Sequence, residues 1–79
     1  MADWVQETVL FLLELFNKDP ELAKEILWTI KQIERTPGQI GEFITATRYC
    51  FSDPKGRFRI SYNFHPDSSQ VEIVVLLVF

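Results

Sequence analysis

The chain is short of nearly everything that holds a small protein together by covalent or metal chemistry. Its 79 residues include one cysteine, Cys50, and one histidine, His65. An internal disulfide is excluded, and with no CxxC and no Cys/His cluster neither a metal nor any other cofactor is expected. Glycine is scarce, at three residues, and no Gly-rich phosphate loop, HExxH or GxSxG motif is present. Long apolar runs are missing as well: the stretch from Val9 to Phe16 is broken by Glu14, far below the ~20 residues that span a bilayer. Asp3 and Glu7 stand where a secretory signal would carry positive charge. The expectation is a cytoplasmic protein with no membrane partner.

What the chain does have is a core: 47% of its residues are hydrophobic. That makes one domain over residues 1–79, burying roughly 60–65% of its unfolded surface. The net charge of −3 is unevenly spread. Residues 1–44 hold Lys18, Lys24, Lys31 and Arg35 against eight acids, whereas residues 45–79 hold Arg48, Lys55, Arg57 and Arg59 against Asp53, Asp67 and Glu72. An anionic ligand would therefore meet the C-terminal half.

Two helices are expected over about residues 3–35. In "DWVQETVLFLLELFNKD" Asp3 can cap and Glu7 suits the first turns. The apolar residues of this segment, among them Trp4, Leu12 and Phe16, surround most of the helix. A surface helix shows a narrower stripe. Either the domain covers this helix on two sides, or one face is kept for another chain, a second copy included. "DPELAKEILWTIKQIERTPG" is a cleaner helix, with Asp19 as cap, Pro20 at the first helical position, and Leu22, Ala23, Ile26, Leu27, Ile30 and Ile33 at helical spacing. The short link between the helices predicts an antiparallel hairpin.

Three antiparallel strands are expected over about residues 44–79: "ITATRYCF", "RFRISYNF" and "QVEIVVLLVF", joined by the turns "DPKG" and "HPDSS". The fold class is α+β, an N-terminal helical hairpin packed on a three-stranded antiparallel sheet. Alternation places Phe58, Ile60, Tyr62 and Phe64 on one face of the middle strand and Arg57, Arg59, Ser61 and Asn63 on the other. The last strand is apolar on both faces from Ile73 to Phe79, which suits a central strand or one covered by a partner.

Arg57 and Arg59 share a face, and a hairpin closed near "DPKG" brings Arg48 opposite or diagonal to them, with Lys55 in the turn. The three arginines make an anion-sized patch, with Lys55 a further phosphate-binding candidate, although the solvent face of a small sheet is ordinarily polar. His65 in its turn reads as a solvated loop residue, and Cys50 as a small strand residue.

The order helix, helix, strand, strand, strand resembles the RelE/ParE toxin superfamily. So do the turn "TPG" at Thr36–Gly38, the string "FRISY" from Phe58 to Tyr62, and the β-branched "PDSSQVEIVVLLV" that follows. The likeness covers residues 20–79. It implies a toxin of a toxin–antitoxin pair, neutralised by a cognate antitoxin and acting on mRNA at the ribosome or on gyrase. In its RNases, which need no metal, basic residues of the sheet hold the phosphate. Arg59 falls on the family's strand arginine and Arg48 near a cation of the preceding strand, while Cys50 replaces a second cation. The family's usual strand before the helices is not expected, and its basic and aromatic residues beyond the last strand have no counterpart before Phe79. Catalysis is therefore expected to be weakened or lost. The alternative implied is a non-catalytic interaction module on the same fold.

Overall fold

The structure is a computed structural model that describes residues 2–4 and 6–79, with side chains described from residue 6 onward. Five strands and two helices follow one another as β1 (Ala2–Trp4), α1 (Gln6–Lys18), α2 (Pro20–Arg35), β2 (Glu42–Thr45), β3 (Arg48–Ser52), β4 (Phe58–His65) and β5 (Gln70–Val78). The sheet runs β1-β5-β4-β3-β2. Strands β2 to β5 are antiparallel neighbours, and β1 joins β5 in parallel.

α2 is the helix that builds the core. The Asp19 carboxylate accepts from the Leu22 amide at 3.2 Å, and Pro20 opens the helix. Ala23, Ile26, Ile30 and Ile33 are fully buried. They pack with Phe58, Ile60 and Tyr62 of β4 and Val71, Ile73 and Leu76 of β5. At ~1.5–3 kcal/mol for each large aliphatic side chain taken out of water, this face dominates the stability. α1 contributes much less, with only Thr8 and Leu12 buried.

β5 reconciles its continuous apolar run with one covered face by a bulge. Ser61 pairs with Val75 but Tyr62 pairs with Ile73, so Val74 is the extra residue. The shift lets Ile73 and Leu76 both point into the core and leaves Val75 and Leu77 on the open face. Thr8 donates to the Val74 carbonyl at 3.2 Å, tying α1 to the bulge. The central position expected for the last strand is thus realised between β1 and β4.

Four expectations need correction. The sheet has five strands rather than three. "ITATRYCF" does not run through: Ala46 takes a left-handed φ of 52°, and the chain reverses between Thr45 and Arg48 to make the β2–β3 hairpin. A strand does precede the helices, for Ala2–Trp4 pairs with Val71–Ile73. Asp3 therefore lies in β1 and is not the cap of α1, which begins at Gln6.

Candidate functional site

One face of the sheet lies under the helices and the other is open. The open face carries Arg48, Cys50 and Ser52 from β3, Arg59, Ser61 and Asn63 from β4, and Val75 and Leu77 from β5. Their register is Arg48↔Asn63, Cys50↔Ser61↔Val75 and Ser52↔Arg59↔Leu77. At its β2 side lies a depression of about 520 Å³ lined by Gly41, Glu42, Ile44, Cys50, Phe51, Ser52 and Arg59.

Arg59 is the exposed cation of this face. Its Nε donates to Ser52 Oγ at 3.2 Å, and its guanidinium carbon sits 5.8 Å from the centroid of the exposed Phe79 ring. Among the described residues nothing engages its terminal nitrogens, so they remain available to a phosphate or carboxylate in the forked geometry that suits arginine.

Arg48 is held differently. Its Nε donates to Asn63 Oδ1 at 2.9 Å, and Asn63 Nδ2 donates to Glu72 Oε1 at 3.1 Å, a relay across three strands. The register puts Arg48 four positions along the ladder from Arg59, about 13 Å at the strand rise of ~3.3 Å per residue. It is neither opposite nor diagonal to Arg59, so the two cannot grip one phosphate.

Arg57 does not share the open face. It precedes β4, and its Nε donates to Asp53 Oδ2 at 2.8 Å while Nη1 donates to the Glu25 carboxylate of α2. Two carboxylates neutralise it, and the Asp53 bond raises its already high pKa further. The same hydrogen bond holds the Asp53 carboxyl below the usual carboxylate range, against the opposing effect of burial. Asp53 also accepts from the Arg57 amide at 3.1 Å, so this cluster fastens the β3–β4 turn to α2. Lys55 is exposed at the tip of that turn. The expected arginine trio therefore reduces on the open face to Arg59 and Arg48.

Two residues enter that the sequence reading passed over. Ser52 orients Arg59, and Glu42 supplies the carboxylate of the depression. The cross-strand match of Glu42 with Cys50 places it there, but that match exists only once β2 and β3 are seen as separate strands. His65 pairs with Gln70 at the far end of β4, six positions from Arg59 or about 20 Å, and can exchange no proton there. Cys50 accepts a long contact from Ser61 Oγ at 3.9 Å.

The residues expected to meet a partner divide. Phe79 is 72% exposed, and Phe16 is half-buried in a groove between the helices. Leu12 is a core residue and not a contact surface; Leu10 and Leu13 are the leucines that α1 presents outward. The Trp4 side chain lies outside the described residues. Among the described residues, no group of three His, Cys, Asp or Glu side chains is placed to hold a metal, and no helix is long and apolar enough to cross a membrane. Comparison with protein-family models, curated proteins and solved structures finds no match.

Proposed function

We propose that this chain is a RelE/ParE-like toxin of a toxin–antitoxin pair, with the open sheet face around Arg59 as its working surface. The observation that carries the reading is Arg59 itself, the arginine of "FRISY", exposed on the central strand β4 near the β3–β4 turn, oriented by Ser52 and otherwise free to bind an anion. The order β1, two helices and an antiparallel set of strands supports it, because the strand called for before the helices is present.

On this reading Arg59 binds the phosphate of the target RNA and stabilises the charge that develops on cleavage. Glu42 is the carboxylate in the same depression that can take a proton. Two cations predict a salt slope of only about −1.4 on single-stranded RNA, so docking relies on the target's shape and on apolar contacts. Inducible expression tests the proposal: incorporation of labelled amino acid should fall with the unaltered chain and recover with Arg59→Ala, with Glu42→Gln intermediate. Unchanged incorporation with the unaltered chain would remove the toxin reading.

A second reading, a non-catalytic interaction module, is favoured by the exposed Val75, Leu77 and Phe79 beside so few cations. It predicts the same partner binding for Glu42→Gln as for the unaltered chain.

A further inference from the structure

β5 is paired along its whole length on one side only. On the β4 side its partners run from Phe58 to His65, whereas on the other side β1 matches Val71, Glu72 and Ile73 before the chain turns into α1. From Val74 to Val78 no strand among the described residues lies along that second side. The Phe79 amide donates to the Arg57 carbonyl at 2.9 Å, which fixes the phase of the ladder. Alternation then turns the backbone groups of Val75 and Leu77 to β4 and those of Leu76 and Val78 away from it. The N–H and C=O of Leu76 and of Val78 thus face the unpaired side, and no described residue bonds to them there. Leu76 is only 7% exposed, and backbone groups so buried are ordinarily paired.

The β2 edge of the sheet is guarded and this one is not. β2 is four residues long, is bulged between Phe43 and Thr45, and carries Glu42, all of which discourage a further strand. From Val75 to Phe79 there is no charge, no proline and no bulge. Above the unpaired side stands α1: Thr8 donates to the Val74 carbonyl, and Thr8 and Phe11 line a depression of about 280 Å³ with Val74, Val75 and Leu76. A second copy that paired its own β5 here would drive its helices, each ~10 Å across, into the space of α1. An extended segment with no helical layer of its own passes beneath. Arg59 stands opposite Leu77, one strand in from this side, and its terminal nitrogens are unengaged. An incoming residue level with Leu77 would lie about 10 Å from Arg59 between Cα atoms, at ~4.8 Å per strand, a gap that glutamate and arginine side chains span together.

We propose that the edge of β5 from Val74 to Val78 binds an extended segment of a partner protein, apolar where it lies under Phe11 and acidic where it lies level with Leu77. Backbone hydrogen bonds to Leu76 and Val78 supply the affinity, and Arg59 selects the acid. The added strand completes the central position of β5 that β1 fills over Val71–Ile73 alone. This binding goes beyond any action on RNA and stands whether or not the open face has one.

Titration of the full chain with the capped peptide Thr-Val-Glu-Val-Thr, followed by backbone amide chemical shifts, tests this. The glutamate is central, so either chain direction presents it level with Leu77. The Leu76 and Val78 amides should shift together, with a dissociation constant on the order of 0.1–1 mM for so short a strand. Thr-Val-Lys-Val-Thr should bind roughly fivefold more weakly, and in Arg59→Ala the two peptides should bind within about twofold of each other. Methylating the amide nitrogens of both valines should abolish binding, because those donors meet the Leu76 and Val78 carbonyls. No shift at Leu76 and Val78 up to about 5 mM peptide overturns the proposal. So does equal binding of the two peptides to the unaltered chain, or binding that survives methylation. Shifts of the same amides that follow protein concentration without peptide would assign the edge to a second copy and overturn it as well.

Discussion

Arg59 and Ser52 face each other across the β3–β4 ladder and are joined by an Nε to Oγ hydrogen bond of 3.2 Å on the open side of the sheet. Arg57, two residues earlier, turns to the opposite side and is neutralised by Asp53 and Glu25. Two arginines that look equivalent in "GRFRISY" therefore have separate roles, one offering its charge outward and the other fastening a turn to a helix.

This separation makes opposite predictions for the two alanine variants. Arg59→Ala should leave thermal stability within about 0.5 kcal/mol of the unaltered chain, as surface changes do. Its salt slope for single-stranded RNA should become shallower by about 0.7. Arg57→Ala should lower the melting temperature and leave the salt slope as it was. Calorimetry and binding measured at several salt concentrations check both.

Asp53 gives the fold an acid limit. Its native pKa lies below the ordinary value of ~3.9 because Arg57 hydrogen-bonds the carboxylate. The stability this confers is complete above about pH 4 and is lost as pH falls through the native value. Melting temperature followed from neutral to strongly acidic pH should drop on that path, and the drop should be smaller in Arg57→Ala.

Tyr62 sets the alkaline limit. Burial raises its pKa above 10, and its hydroxyl donates to the Ile40 carbonyl at 2.5 Å. A raised phenol pKa means stability present below about pH 10 and lost as pH climbs through the native value. In an alkaline absorbance titration Tyr62 should ionise late, and together with unfolding. Tyr62→Phe should abolish that late component and cost about 1–2 kcal/mol, since the Ile40 carbonyl loses its donor.

Gly41 leads into β2 and lines the depression. Its φ is +87°, and a Cβ there would come within 2.6 Å of the Cys50 carbonyl oxygen. Gly41→Ala should destabilise the chain by about 1–3 kcal/mol. Amide exchange should quicken selectively in β2 and β3, where the hairpin must give way.

α2 is legible in the sequence because its signals agree: an Asp-Pro start, isoleucines at helical spacing and polar residues between them. β4 was legible from Phe58 onward for the same reason, with strict alternation matching its burial. The break between β2 and β3 was not, because a two-residue hairpin loop with positive φ ordinarily announces itself by glycine or asparagine. This chain turns on Ala46 and Thr47. β1 is three residues long and begins beside an aspartate that reads equally well as a helix cap. Arg57 departs from the alternation because it lies in the turn, one residue before β4 starts. Glu42 and Ser52 were invisible as site residues because a site that spans three strands appears only when the register is known.

The most direct test of Arg59 as the centre of the working surface is growth after induced expression of the unaltered chain, Arg59→Ala and Arg57→Ala at a temperature where all three are folded. Both substitutions remove one positive charge from neighbouring positions. The account predicts arrest by the unaltered chain and by Arg57→Ala, and normal growth with Arg59→Ala. Arrest that survives Arg59→Ala, or is lost equally in both variants, would contradict it.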